Sequence, residues 1–423
     1  MSFINPLFAE LKPSTTIQKN KEAGLKRKAG EEVYNFSFGE SCFPIPQFIQ
    51  DDYLRYGDKN RYAGLTGIQE LKEAIAEYYQ RYHGLSCRPD NVFVGPGSKE
   101  VIFHLLYVLN THFIIPVPLW LNIVPQLKLG HKSYTLVNTF ADGYKLTPDA
   151  LEQVCSQDNS PKTLVLINPN NPTGLSYNDK ELAALTSVCE QYHVTVISDE
   201  IYELINFEDR YSSISAHYSD NTIITNGISK AQSMGGYRIG YCIIPDNLLD
   251  MMHEPLLIMA GLTHSGAATP LQYSSINLFK KDSELNAYLL DCTYIYRVLM
   301  ERVHEQLTTH GISCLKANGS FYLYPNFLNF REELKERGIT KDYELTNYLI
   351  DNYNIFTTPG SDYYSPSDEL SFRLSLVDFD GQKALEHIDA LKADKHAVYI
   401  ELFDCIDTGI SRLLSFTDTL QKG

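Results

Sequence analysis

Lys230 lies in the run Asn226-Gly227-Ile228-Ser229-Lys230-Ala231-Gln232-Ser233-Met234-Gly235-Gly236-Tyr237-Arg238. A lysine placed directly after an apolar stretch, among small residues, is set up as an amine nucleophile. Desolvation and cationic neighbours lower an ammonium pKa, and the neutral amine is the form that makes a Schiff base with a carbonyl. Arg238 can return to the same place and offer a planar fork to a phosphate. Gly95-Pro96-Gly97-Ser98-Lys99 reads as a glycine turn into a helix N-terminus, which presents free N–H groups to an anion, although many tight turns look alike. In Asn168-Pro169-Asn170-Asn171-Pro172-Thr173-Gly174, two prolines and a glycine fix a rigid turn that can hold the Asn171 amide in one orientation. In Ser198-Asp199-Glu200-Ile201-Tyr202, Asp199 can accept from a ring nitrogen and Tyr202 can reach the same ligand. The plainer alternative is a helix N-cap beside a core aromatic. Trp120 is the only tryptophan, and a lone tryptophan is more often packing than a stacking platform. Arg373 stands in apolar Phe372-Arg373-Leu374-Ser375, where an arginine is rarely structural without a carboxylate partner.

These residues need a scaffold that gathers them. Apolar runs at Val92–Val94, Phe113–Pro116, Leu164–Ile167, Thr195–Ser198 and Thr222–Thr225 read as strands alternating with helices such as Ile68–Tyr82 and Lys99–Leu109. That pattern is α/β: a mostly parallel sheet flanked by helices, whose ligands bind at the C-terminal ends of the strands. The second half changes character. Helical segments surround strand candidates at Gly319–Tyr324 and Leu370–Leu376, which predicts a smaller α+β domain. The expected division is a large domain over 46–290 and a discontinuous small domain from 1–45 plus 291–423, ending in an amphipathic helix over His396–Gly423.

The chain has 423 residues, room for two domains, and 43% hydrophobic residues to fill their cores. A net charge of −16 argues against nucleic-acid binding, which needs clustered cations. The one dense basic run, Lys26-Arg27-Lys28, reads as a solvated helix face. Eight cysteines are scattered with no CxxC pair and no Cys/His cluster, so reduced thiols and no metal are expected. Met1 to Ser14 lacks a signal-peptide pattern and no apolar run reaches membrane-spanning length, so a cytoplasmic protein without a membrane partner is expected.

Taken together, the order and spacing of these pieces resemble the fold-type I pyridoxal-phosphate aminotransferases, most closely the bacterial-type aspartate aminotransferases of class I/II. The likeness runs from about Leu11 to the helix after Arg373. It includes Lys12-Pro13-Ser14 with Thr16, Phe38-Gly39-Glu40, Arg61-Tyr62 before Leu65-Thr66-Gly67, and the motifs above. The resemblance implies pyridoxal 5'-phosphate as cofactor, held by Lys230 as a Schiff base. Asp199 then pairs with the ring nitrogen and keeps the ring an electron sink. Tyr202 and Asn171 bond the ring's phenolic oxygen, Trp120 stacks on the ring, and Gly97, Ser98, Lys99 and Arg238 grip the phosphate. Tyr62 reaches the cofactor of a neighbouring subunit, which implies a homodimer with shared sites. Arg373 clamps the substrate α-carboxylate, with Gly39 lining that pocket alongside Trp120 and Asn171. Lys230, freed by the substrate amine, becomes the base that moves the Cα proton.

Three departures from the family pattern stand out. Gly39-Glu40-Ser41-Cys42-Phe43 replaces the usual Gly-Glu-Pro-Asp-Phe. Met234-Gly235-Gly236-Tyr237 replaces Met-Thr-Gly-Trp. The loop Asp362-Tyr363-Tyr364-Ser365-Pro366 is unusually aromatic. The first and third are expected near the substrate pocket, so they bear on the amino acid rather than the reaction. Lys99 could face a distal carboxylate, favouring aspartate or glutamate, or be a surface lysine; Tyr363 and Tyr364 leave an aromatic amino acid open. The same scaffold also supports carbon–sulfur lyases and cyclising synthases. A cofactor-binding regulator fused to a DNA-binding module is not expected, because no helix-turn-helix segment precedes Leu11 and the charge is acidic.

Overall fold

The computed structural model describes residues 3–11, 13–208, 210–280 and 283–421. Its strands are β1 (Tyr34–Asn35), β2 (Val92–Gly95), β3 (His112–Val117), β4 (Tyr134–Asn138), β5 (Lys162–Ile167), β6 (Thr195–Asp199), β7 (Thr222–Gly227), β8 (Gly240–Ile243), β9 (Tyr322–Leu323), β10 (Ile355–Phe356), β11 (Thr358–Pro359) and β12 (Phe372–Ser375). Seven of them form one sheet in the order β2-β8-β7-β6-β5-β3-β4. β4, β3, β5, β6 and β7 pair in parallel, and β8 alone runs antiparallel, between β7 and β2.

Every residue of β5 and β7 is buried, as strands covered on both faces must be. Successive side chains point to opposite faces, so β5 sends Leu164 and Leu166 into one core and Val165 and Ile167 into another. The first core is closed by the helix Asp179–Tyr192. The second is closed by the helices Ser98–Val108 and Asp246–Thr263. Each fully buried Leu or Ile contributes roughly 1.5–3 kcal/mol. The expected helices end within a residue or two of where they form: Gln69–His83, stopped by Gly84 at φ 65°, and Ser98–Val108.

The second region holds a three-stranded antiparallel sheet, β11-β12-β9, and a two-stranded parallel one, β1-β10. Through β1, the N-terminal segment pairs with a strand more than 300 residues away: Tyr34 lies opposite Ile355. The helices Ser283–Thr309 and Tyr399–Gln421 share a core around Leu299, Val303, Phe403 and Ile406. The expected division at 290/291 falls inside the first of these helices.

Several expected elements are shorter than read, for local reasons. Ser320 takes a left-handed φ of 60°, so the expected Gly319–Tyr324 strand narrows to β9. Leu370, at φ 52°, delays the second strand to Phe372. The terminal helix begins at Tyr399 and is broken at Phe403; its expected last residues, Lys422 and Gly423, lie outside the described residues. Among the described residues no helix is long and apolar enough to cross a membrane, and no group of His, Cys, Asp or Glu could hold a metal.

Candidate active site

β7 and β8 are antiparallel neighbours with Gly227 opposite Gly240, and Ile228 N–H donates to Ile239 O just beyond them. The loop between therefore leaves and re-enters the sheet at one point, which is why Lys230 and Arg238 line one cavity. β2 delivers Gly97 and the first turn of Ser98–Val108 to the same edge. Gly97 has φ 88°, and a Cβ there would stand 2.2 Å from an Arg238 nitrogen, so only glycine admits the guanidinium. Arg238 Nη1 donates to Gly235 O at 3.0 Å and Nη2 to Pro96 O at 3.3 Å. A fixed guanidinium beside the unspent N–H groups of a helix N-terminus makes an anion cradle.

A cavity of about 450 Å³ opens at this edge. All the expected site residues line it except Gly97, which lies behind Arg238, and Tyr62, which is 93% exposed on the surface. The Lys230 ammonium donates to Gly39 O at 2.7 Å and lies 5.8 Å from the ring centre of Tyr202. Asp199, at the end of β6, is buried. Burial pushes its carboxyl up to about 7, against the pull of Thr225 Oγ1, the Ile201 N–H and Lys230. No helix starts there; turns through Tyr202 follow, so the N-cap reading falls away. Tyr202 is also buried, and its hydroxyl is held well above the usual phenol range, first by desolvation and then by Tyr322.

At the other end, Arg373 is 3% exposed and has no carboxylate partner among the described residues. Nη1 donates to Asn171 Oδ1 at 3.0 Å and Nη2 to Ser37 O at 2.7 Å. The rings of Tyr322 and Tyr363 lie 4.3 and 5.2 Å from its central carbon. Its Nε is buried without a partner among the described residues, leaving a donor unspent. Because the Asn171 carbonyl is taken by Arg373, the amide has its Nδ2 donor left for a ligand. Lys99 sits at the exposed mouth, its ammonium 5.7 Å from the centre of the half-buried Trp120 ring. Its pKa is lowered by desolvation, then by Arg238 and Lys230.

Two departures expected near the substrate do not line the cavity. Ser41 turns to Ser233 at 2.7 Å and Tyr296 at 3.1 Å. Tyr363 is fully buried behind Arg373, and Tyr364 packs toward Leu121. Tyr322 lines the cavity and was not read as a site residue. Its only sequence signal is a place in a short apolar strand, which many core tyrosines share. Lys12 lies outside the described residues; Ser14, Thr16 and Glu40 from the same motifs do line the wall. All eight cysteines are free, and burial raises thiols such as Cys42 to about 12.

The sequence profile described as "Aminotransferase class I and II" matches residues 31–390. An aspartate aminotransferase of Bacillus subtilis is 30% identical, the match covering 86% of this chain and 93% of that protein. An aspartate/prephenate aminotransferase of Cereibacter sphaeroides is also 30% identical, over 88% and 94%. Among solved structures, an aspartate aminotransferase of Thermus thermophilus with maleate superposes with a TM-score of 0.81 at 24% identity, over 92% of this chain and 100% of that one. One from Thermotoga maritima does so with a TM-score of 0.81, over 98% and 100%.

Proposed function

The chain belongs to the aminotransferase class I and II family, and from that premise we propose that it carries pyridoxal 5'-phosphate on Lys230 and passes amino groups between an acidic L-amino acid and a 2-oxo acid. The observation that carries this reading is the gathering of the Lys230 amine, the buried Asp199 carboxyl and the guanidiniums of Arg238 and Arg373 around a single cavity. The aminotransferase names of the relatives do not favour the carbon–sulfur lyase alternative.

The residues fit the cofactor. The cradle at Gly97, Ser98 and Arg238 suits a phosphate, and the buried, hard-to-ionise Asp199 suits a protonated ring nitrogen that would give it a cationic partner. Tyr202 Oη and Asn171 Nδ2 are donors for a ring oxygen, and Trp120 is a face for the ring. When bound, the cofactor supplies an electron sink for the substrate Cα and a carbon that two amines can share in turn. Lys230 Nζ takes the Cα proton and hands it back, and positioned proton transfer of this kind contributes typically ~10²–10⁴-fold. Arg373, already braced by Asn171 and Ser37, holds the substrate α-carboxylate through the hydrogens those partners leave free. Lys99 at the mouth supports an anionic side chain, in keeping with relatives named for aspartate; Tyr363 and Tyr364, spent behind the cavity, give little support to an aromatic one.

The same reading includes a homodimer in which Tyr62 reaches the partner's phosphate. It is supported by the 93% exposure of this aromatic beside exposed Leu65, with Leu262 80% exposed. It also includes the division into domains 46–290 and 1–45 plus 291–423, supported by the separate sheets, and a cytoplasmic location, supported by eight unpaired cysteines.

The test is a half-reaction. Purified protein loaded with pyridoxal phosphate is mixed with single amino acids, and the absorption of the lysine-bound pigment is followed. Aspartate and glutamate are expected to bleach it to the amine form and release their 2-oxo acids. No conversion by any L-amino acid sinks the proposal, and pyruvate release from cystathionine in its place moves the chain to the lyases.

A further inference from the structure

Tyr322 touches three members of the site. Its hydroxyl is 2.9 Å from Tyr202 Oη. Its ring lies 4.3 Å from the central carbon of Arg373. A Cβ built on Gly39 would stand 2.1 Å from the Tyr322 hydroxyl. The Gly39 backbone is not left-handed, so what demands a glycine there is this close approach. Tyr202 and Tyr322 are 2% and 1% exposed, so each hydroxyl must find its partner inside the protein. A phenol has one proton to give. If Tyr202 spends its proton on the cofactor's ring oxygen, Tyr322 must be the donor within the pair.

We propose that Tyr322 is a positioning residue: its hydroxyl donates to Tyr202 Oη and so aims the Tyr202 proton at the cofactor, while its ring holds the Arg373 guanidinium flat for the substrate carboxylate. The proposal rests on the cofactor reading above. The two jobs separate chemically. Consecutive hydroxyls polarise one another, so the first donation strengthens the second. The ring acts through its face on the guanidinium and needs no hydroxyl. One side chain thereby ties the cofactor's oxygen to the substrate's carboxylate site.

The experiment uses the pyridoxal-phosphate-loaded enzyme with Tyr322→Phe, Tyr322→Leu, Tyr202→Phe and the Tyr202→Phe/Tyr322→Phe pair. A donor at the ring oxygen favours its anionic form and so the deprotonated pigment; weaker donation raises the pH at which the pigment changes colour. Tyr322→Phe is expected to raise that midpoint by roughly 0.5–1 pH unit, with KM for the amino donor within about twofold of wild type. Tyr322→Leu loses the ring too and is expected to raise KM roughly 3–10-fold. In the Tyr202→Phe background, Tyr322→Phe is expected to shift nothing further. An unchanged midpoint in Tyr322→Phe, or a shift that persists undiminished without the Tyr202 hydroxyl, overturns the proposal. Tyr322→Phe keeps the ring volume, so this result stands even where the leucine variant fails to fold. Wild-type protein that forms no lysine-bound pigment overturns the cofactor reading itself, which is a distinguishable failure.

Discussion

At the proposed cofactor end, Ser98, Asp199, Lys230 and Arg238 line the cavity, with Gly97 behind Arg238, on turns leaving β2, β6 and β7 or re-entering at β8, strands of one sheet. At the proposed substrate end, Gly39, Asn171, Tyr322 and Arg373 come from the N-terminal segment, a turn after β5, β9 and β12, separated by most of the chain. Pairing within one seven-stranded sheet sets the first end. At the second, a small sheet pairs Arg373 with Thr358 and Ser375 with Tyr322, and side-chain hydrogen bonds join that sheet to Asn171, Ser37 and Tyr202. In the proposed reading, chemistry is thus built within one sheet and selectivity where the small sheet, the N-terminal segment and the turn after β5 converge, and a change at one end should leave the signature of the other.

The strongest test of that division is Lys230→Ala. It should remove the lysine-bound pigment and lower turnover by at least ~10²–10⁴-fold, while cofactor phosphate still binds the cradle and Arg373 still binds dicarboxylates. Spectra and single-turnover kinetics check both halves. Near-normal turnover would remove Lys230 from its role and with it the contrast between the ends.

Asp199→Asn tests what the cofactor end costs when its charge has no partner. The Asp199 carboxyl is raised from 3.8 to about 7 by burial, so the folded state binds its proton more tightly than the unfolded chain does. Its stabilising contribution is therefore full below about pH 4 and is lost as pH rises through about 7. Without cofactor, Asp199→Asn should match wild type near pH 4 and exceed it above pH 7, by on the order of 2–4 kcal/mol in urea unfolding. Glu200, also raised to about 7, keeps part of the pH slope in both proteins. With cofactor bound the ranking should reverse, because a cationic ring nitrogen then pairs with the carboxylate. Equal stability of the two cofactor-free proteins at every pH would mean that Asp199 is not strained.

The same division governs what could be read from sequence. The cofactor end was legible because Asp199, Lys230 and Arg238 each follow or precede an apolar strand, and a parallel sheet brings strand ends together. β8 was not read as a strand, and with it went the reason Arg238 returns: the pairing of Gly227 with Gly240. β4, an edge strand with only partly buried side chains, also lacked a clear signal. Arg373 was legible as a charge in an apolar strand, but its partners proved to be an amide, a carbonyl and two rings rather than a carboxylate. Tyr322 could not be singled out, since only its three-dimensional neighbours distinguish it from other buried tyrosines. The unusual Tyr363 and Tyr364 suggested an aromatic pocket, yet they pack behind the wall, a difference of side-chain direction that spacing does not carry.

Lys99 stands where the two ends meet, in the first turn of the helix Ser98–Val108, proposed to cradle the phosphate, and at the mouth where a substrate side chain would enter. Its ammonium is destabilised by surrounding protein and by two like charges, Arg238 and Lys230, so an anion arriving nearby would relieve it. Its solvent exposure limits the gain, because exposed ion pairs contribute only about 0–1 kcal/mol. Lys99→Gln keeps the length and removes the charge. The expected result is a fall in kcat/KM for aspartate, relative to alanine, of roughly 3–5-fold. The pigment's spectrum and its pH midpoint should be preserved, because the cradle retains its backbone N–H groups and Arg238. An unchanged aspartate-to-alanine ratio would place Lys99 with the phosphate alone. Selectivity for the acidic side chain would then have to come from residues of the second region, and the boundary between the two ends would move to the far side of Trp120.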